Sequence, residues 1–425
     1  MDGGRAWPAA ESAPIQPPSA FLAGTARARA AGPTVDLLKF VMARPLPATA
    51  EITIVGGGAM GCSLAYHLAA LGRKPLVLER GRLGGGSTGR CAGGVRQQFS
   101  TAINIRLGQR AIELLGQFQE VTGTDPQYRP IGYLLLATSE AWAEALARDV
   151  SLQRLLNVPV EVLGSAEVGR LVPGLRTDDV SRASLCWTDG LAGPNEVTTG
   201  YAAAARRLGA RVEEGVEVVG IDLEGERVHG VRTDHGLVST PDVVICAGPQ
   251  ARQLGEMAAI TVPVDPLKRH VLLTEPFLTP PLRSPMTIDL ATGFYFHPEG
   301  DGLLMGMGDP SQPFGDDLSV DWSFLPKVVE EGSRRLPSLE SAALRTAWAG
   351  LYEMTPDRQP LVGSVADRPG LWLACGFSGH GFMMAPPVGE SLAAEMCGSA
   401  PRIDMSPFAP LRFSGGTLAP ESVFV

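Results

Sequence analysis

The sequence predicts an α/β protein in which a parallel sheet, covered on both faces, is interrupted twice by a second, α+β unit built on an antiparallel sheet. Three observations predict this. The β-branched run Ile52–Val55 passes directly through three glycines into Ala59–Leu71, whose apolar residues recur every three or four. A second apolar run, Pro75–Leu78, follows, and strand, turn, helix and strand at that spacing form a crossover between parallel neighbours. Between 262 and 344 the pattern changes to alternating strands with one helix near 324–335, as an antiparallel sheet requires.

The remaining elements are read in order. A glycine-dense loop occupies 81–95, helical periods cover 103–120 and 140–156, and a strand is expected over 131–138. A helix near 196–208 precedes a meander over 211–238, which leads into Pro241–Gly248. Segments 345–350, 371–374 and 382–396 return to the first sheet and its helices. The nucleotide-type unit therefore comprises 51–98, 185–260 and 345–400, the substrate unit 99–184 and 261–344, and a tail 401–425. Residues 1–50, rich in Ala, Pro and Gly without periodicity, are expected to be disordered, and Met42 offers an alternative start shortly before the first strand.

Composition limits what the protein does. With 425 residues, 44% hydrophobic and 19% charged, it has ordinary globular usage and no uninterrupted apolar run long enough to span a bilayer. A net charge of −9 and the lack of a basic stripe with interleaved aromatics argue against nucleic acid and anionic lipid as partners. Cys62, Cys91, Cys186, Cys246, Cys375 and Cys397 are scattered without metal-ligand spacing, so no metal is expected and reduced thiols in the cytoplasm fit. Lysine occurs only at Lys39, Lys74, Lys268 and Lys327, which leaves few candidates for a catalytic lysine.

The strongest motif is Gly56-x-Gly58-x-x-Gly61, opening a helix directly after a strand, with Glu79 at the end of the next strand. The first glycine permits the turn, the second lets backbone approach a pyrophosphate, and the third lets helix and strand pack closely. The helix N-terminus carries roughly half a positive charge toward the phosphates. Glu79 accepts hydrogen bonds from ribose hydroxyls and would repel a 2′-phosphate. This is a Rossmann-like arrangement for an adenine dinucleotide. Further glycine-rich segments at Gly350 and at Gly376–Gly381 suit a long cofactor touched at both ends by distant parts of the chain.

Five segments, IVGGGAMGCSLAYHLA, LERGRLGGGSTGRCAGGVRQQFS, VVICAG, GLYEMTPDRQPLVG and CGFSGHGFMMAPPVGE, resemble in order the D-amino-acid oxidase and sarcosine oxidase superfamily of FAD-dependent oxidoreductases. Within it they are most similar to sarcosine oxidase β-type and dye-linked L-proline dehydrogenase subunits. The resemblance implies a discontinuous FAD-binding domain beside a substrate domain. It implies that Gly56, Gly58, Ala59, Met60 and Gly61 cradle the pyrophosphate and that Glu79 and Arg80 hold the adenosine ribose. It assigns phosphate and flavin contacts to Ser87, Thr88 and Arg90, backbone bonds to adenine to Val218, and close approach to Ala247 and Gly248. Gly376, Gly379, His380, Gly381, Phe382 and Met383 form a loop and helix start whose amides stabilise a negatively charged flavin.

Departures from the family pattern are equally informative. Relatives that bind flavin covalently use a cysteine or a histidine where this chain has Gly350 and Arg90, so non-covalent FAD is implied. Relatives anchor a substrate carboxylate with an arginine and a lysine; the arginine corresponds to Arg96, while the lysine position is Met383. The implied reaction is oxidation of the C–N bond of a small amine or amino acid, with Arg96, His380 and Tyr295 as the catalytic candidates. His297, Tyr352 and Arg358 are further pocket candidates, and Asp357 reads as a turn terminator. Lys268 reads as the start of a strand. The missing lysines favour a dehydrogenase serving an electron acceptor or partner subunit. A peroxide-producing oxidase, a non-catalytic FAD electron-transfer or assembly subunit, and an NAD-dependent dehydrogenase are the alternatives.

Overall fold

Apolar runs without polar alternation become strands buried on both faces, and such runs open the fold. In chain order the first half contains β1 (Thr53–Val55), α1 (Ala59–Ala70), β2 (Leu76–Glu79), β3 (Gly94–Val95), α2 (Ala102–Gly116), β4 (Tyr133–Ala137), α3 (Glu140–Leu155), β5 (Val160–Leu163), β6 (Arg182–Cys186), β7 (Gly190–Leu191) and α4 (Pro194–Arg207). The second half contains β8 (Arg211–Glu214), β9 (Val218–Glu224), β10 (Arg227–Thr233), β11 (Gly236–Ser239), β12 (Val243–Ile245), β13 (Asp265–Thr274), β14 (Met286–Asp289), β15 (Tyr295–Glu299) and β16 (Gly302–Met307). It ends with α5 (Leu325–Arg335), β17 (Leu344–Met354), β18 (Leu361–Ser364), β19 (Leu371–Cys375) and α6 (Gly381–Met396). The computed structural model describes residues 45–277, 281–414 and 420–421.

A six-stranded sheet has the order β18-β19-β12-β1-β2-β8. Its pairs are parallel except for the antiparallel edge strand β18. One face is covered by α1, α2, α4 and α6, which share a core with Ile54, Val77 and Val244. The other face carries a three-stranded antiparallel sheet, β11-β10-β9, whose Val228, Val231 and Val238 pack on Leu76, Leu78, Val243 and Ile245. The parallel sheet is thus dry on both sides, as its uniformly apolar strands require.

An eight-stranded sheet has the order β17-β13-β16-β15-β14-β4-β6-β5. Its outer face, with Leu134, Leu136, Leu272, Phe294, Phe296 and Met305, packs on α5 and its neighbours. Arg335 at the end of α5 is fully buried and donates to Asp289 (2.7 Å) and to both oxygens of Asp179 (2.7 and 2.9 Å). Removing one partner of such a pair costs about 3–5 kcal/mol, so α5 is held firmly against the outer face.

Three expectations need correction. Segment 345–350 does not return to the parallel sheet: β17 pairs with β13 from Asp265↔Met354 to Thr274↔Leu344, and this long antiparallel ladder makes it an edge of the eight-stranded sheet. That sheet is not wholly antiparallel either, because β4 and β14 run parallel. Order begins before Glu51: Thr49 bridges Ser239, and Ala50 N–H donates to the Ser239 carbonyl at 2.9 Å, which adds backbone bonds at the exposed edge of β11. The rest of the disorder expected for 1–50, residues 1–44, lies outside the described residues, as do Lys39 and the alternative start Met42. The tail after 400 is tied down where it is described. Arg412 donates to both oxygens of Asp357 (2.8 Å each), so Asp357 anchors a distant segment as well as ending a turn.

Candidate active site

A cavity of about 550 Å³ begins at the C-terminal ends of β1, β2 and β12 and reaches the inner face of the eight-stranded sheet. The ends of parallel strands are where ligands enter such sheets. Gly56 leaves β1 with φ +112°, and a side chain there would collide with the Cys246 carbonyl. Gly58, Ala59 and Met60 follow in the wall. Gly61 stands one turn deeper, against the Gly56 carbonyl and Ile54, so its place is in helix–strand packing. Glu79 holds the loop from both sides, accepting from Gly57 N–H (2.7 Å) and Gly81 N–H (2.8 Å). Thr88 Oγ1 accepts from Ala59 N–H at 3.2 Å, and Ser87 donates to the Leu351 carbonyl at 2.7 Å. Arg80, Val218, Ala247 and Gly248 complete this end.

Arg90 and Gly350, far apart in sequence, face each other: a Cβ on Gly350 would lie 3.1 Å from that of Arg90. The Arg90 Nε is buried and has no hydrogen-bond partner among the described residues, although it borders the cavity. Gly379, His380, Gly381, Phe382 and Met383 present the start of α6 to the same space. Gly376 is not in the wall; its N–H donates to Glu353 Oε2 at 2.8 Å. Burial raises the Glu353 carboxyl to about 7, against the lowering effect of the Gly376 and Phe377 amides.

The far end is built from side chains. Paired residues on neighbouring strands share a face, so Tyr133, Met286, Ile288, Tyr295, Val271, Arg269, Gly350 and Tyr352 all line the cavity from the inner face of the eight-stranded sheet. Gly306, opposite Tyr295, gives its ring room: a Cβ there would come within 2.5 Å of the phenol oxygen. Arg96 enters just after β3. It is buried, lies over the Phe99 ring (4.3 Å) and donates to the Gln98 carbonyl (2.7 Å) and to His380 Nε2 (3.2 Å). Burial and the Arg96 charge hold His380 well below the usual histidine value, so it is neutral and accepts from Arg96. Asp189 braces this segment, accepting from Gln97 N–H (3.0 Å) and Gln98 Nε2 (3.1 Å), and burial raises its carboxyl to about 6.

Of the side chains singled out in the sequence, Arg96, Tyr295, Tyr352 and His380 meet at this end, whereas His297 and Arg358 do not reach it. His297 is buried with its Nδ1 on the Pro298 carbonyl. Lys268 points the other way, to Asp317 Oδ2 at 2.6 Å. Sequence reasoning missed Arg269, Tyr133 and Glu353. Strand alternation was the available signal for Arg269, since Lys268 and its neighbour must face opposite sides.

A backbone-walled cleft at parallel strand ends, continuing into a cationic aromatic chamber, defines an oxidoreductase that works with a long bound dinucleotide. The family is then explicit: residues 51–395 match the DAO family, described as FAD dependent oxidoreductase, and the chain belongs to it. The chain is 32% identical over 386 residues to the mitochondrial sarcosine dehydrogenase of Homo sapiens, covering 87% of this chain and 42% of that protein, so it spans less than half of that relative. It is also 32% identical to FAD-dependent oxidoreductase domain-containing protein 1 of Bos taurus, over 88% of this chain and 87% of that protein. Among solved structures, L-proline dehydrogenase from P. horikoshii superposes with a TM-score of 0.83 at 33% identity, covering 88% of this chain and all of that one. FAD fits the residues present: the cradle at Gly56 excludes a side chain, the orphaned Arg90 Nε suits an anionic or carbonyl acceptor, and a helix start faces the middle of the cavity.

Proposed function

We propose that the protein is an FAD-dependent dehydrogenase that oxidises the C–N bond of a small secondary amine or amino acid, with sarcosine, proline and glycine as the nearest substrate types. The observation that carries this reading is the meeting of Arg96, Tyr133, Tyr295 and Tyr352 in a chamber continuous with the dinucleotide cleft. The relatives named above act, by their names, on sarcosine and L-proline. The six-stranded sheet would form the FAD-binding domain and the inner face of the eight-stranded sheet the substrate domain. Gly56, Gly58, Ala59, Met60, Glu79, Arg80, Ser87, Thr88, Arg90, Val218, Ala247 and Gly248 would hold the nucleotide, pyrophosphate and ribityl parts. Gly350 and Gly379–Met383 would border the flavin, bound without a covalent link.

The bound flavin supplies a two-electron acceptor for hydrogen leaving the carbon next to nitrogen, giving an imine that water hydrolyses. This chain's residues do the positioning. Arg96, fixed by His380, Phe99 and the Gln98 carbonyl, receives the substrate carboxylate through a planar, charge-assisted pair. Holding the reacting carbon in place lowers the barrier by several kcal/mol. Burial in the chamber favours the neutral amine over the ammonium, and only the neutral form can yield the imine. None of the described lysines lines the cavity, which supports transfer of electrons to a separate acceptor or partner subunit over efficient reaction with oxygen. All six cysteines are free, in keeping with a reducing compartment such as the cytoplasm, and among the described residues no helix is long and apolar enough to cross a membrane.

The test is an anaerobic screen of N-alkyl and cyclic amino acids against purified yellow protein. Bleaching of the flavin by one of them, with dye reduction outpacing peroxide release in air, is the expected result. A flavin that no amine bleaches would replace this reading with a non-catalytic FAD subunit.

A further inference from the structure

The chamber holds a second guanidinium that anchoring a single carboxylate does not use. Arg269 is half-buried on β13, and alternation along that strand separates it from its neighbours. Lys268 turns outward to Asp317, and His270 accepts from Asp321 N–H at 3.0 Å on the other side. Arg269 turns inward with Val271. Its guanidinium carbon lies 5.2 Å from the centroid of the Tyr352 ring, and its Nη1 donates to the Lys268 carbonyl at 3.2 Å, which directs the head group along the chamber wall. Gly308 makes the space: a Cβ at that position would sit 3.3 Å from the guanidinium carbon.

The two arginines line one cavity from different segments. Arg96 comes from the β3 side and Arg269 from the sheet; burial raises the Tyr352 phenol above its usual value, and both guanidinium charges reach that phenol and oppose the rise. A chamber with two guanidinium groups is electrostatically complementary to a ligand with two anionic groups, because charges taken out of water need matched partners.

We propose that Arg269 is a specificity-determining residue that binds a second carboxylate, so that the preferred substrate is an N-substituted or cyclic amino acid carrying two carboxylates. The inference rests on the reading of the chamber as an amino-acid site with Arg96 on the first carboxylate. Arg269 takes no part in bond breaking; it selects and orients the distal end.

The experiment uses FAD-loaded full-length protein and ligand pairs that differ by one carboxylate, propionate against succinate and butyrate against glutarate. Binding is read from perturbation of the flavin absorption band and needs no turnover. The dicarboxylate of each pair binds at least about tenfold more tightly, as a charged hydrogen-bonded contact provides. Arg269→Met abolishes the difference, Arg269→Lys keeps part of it, and Gly308→Val, which crowds the guanidinium without removing its charge, reduces it. Equal affinities within each pair for the unaltered protein overturn the inference. So does an Arg269→Met variant that weakens both members alike, the result expected if this arginine serves the flavin. If no amine bleaches the flavin but the pair difference stands, the dehydrogenase reading fails and the dicarboxylate site survives. If sarcosine or proline bleaches it and the pair difference is absent, the reverse holds.

Discussion

The dinucleotide end and the substrate end of the cavity are built on opposite principles. At the first, the wall is largely backbone: the Gly56–Met60 turn, the loop held by Glu79 and the start of α6 bring amides and carbonyls to the surface. At the second, the wall is side chains, with Arg96, Arg269, Tyr133, Tyr295 and Tyr352 arriving from five separate segments. Backbone recognition suits a cofactor that never changes, since its geometry is set by a few glycines and tolerates little substitution. Side-chain recognition suits a substrate that differs between relatives, since single replacements on a rigid sheet alter what fits.

That contrast predicts different consequences for damage at the two ends. The largest effect is expected at the backbone end. Gly56→Val forces a β-branched residue into φ +112° against the Cys246 carbonyl, a strain of roughly 1–3 kcal/mol for the dihedral alone before the clash is counted. The measured outcome is loss of FAD, seen as a collapsed flavin-to-protein absorbance ratio, with a lower Tm. Arg96→Ala should behave in the opposite way, retaining yellow colour while kcat/KM falls about 100-fold or more, the scale of losing a buried charged contact. Unchanged turnover on a substrate found in the amine screen would put the carboxylate anchor elsewhere.

The smallest effect concerns Glu353, which stands between the two ends. Its carboxyl is raised by burial to about 7, so the folded state keeps a proton that the unfolded chain releases above ~4.3. Stability therefore falls as pH rises from the ordinary glutamate value to about 7, and the full penalty is present above that. Glu353→Gln keeps an acceptor for Gly376 N–H and removes the charge. Thermal melts of the FAD-free protein should show the variant more stable than the parent at about pH 8 and no better at about pH 5. Parallel pH dependence in the two proteins would refute the assignment.

Legibility in the sequence follows the same division. The Gly56, Gly58 and Gly61 spacing, the acid at Glu79 and the helix start after Gly379 are local patterns, and each lies where the pattern implied. The strands between 262 and 344 were legible as alternation, and in the structure Phe294 and Phe296 lie on one face and Tyr295 on the other. The membership of their sheet was not: β17 reads like any apolar strand, and the ladder from Asp265 to Thr274 that claims it is a long-range pairing.

Local chain chemistry was enough to specify a Rossmann-like turn, an acidic residue closing the second strand and the expectation of a dinucleotide, because glycine spacing acts through backbone conformation within a few residues. The convergence of Arg96 on His380 across 284 positions, the meeting of Arg90 with Gly350, and the inward turn of Arg269 into the space left by Gly308 depended on folding. Contacts between distant segments are set by sheet order and register, which arise from the competition of all strands for partners and leave no mark in any single stretch of sequence.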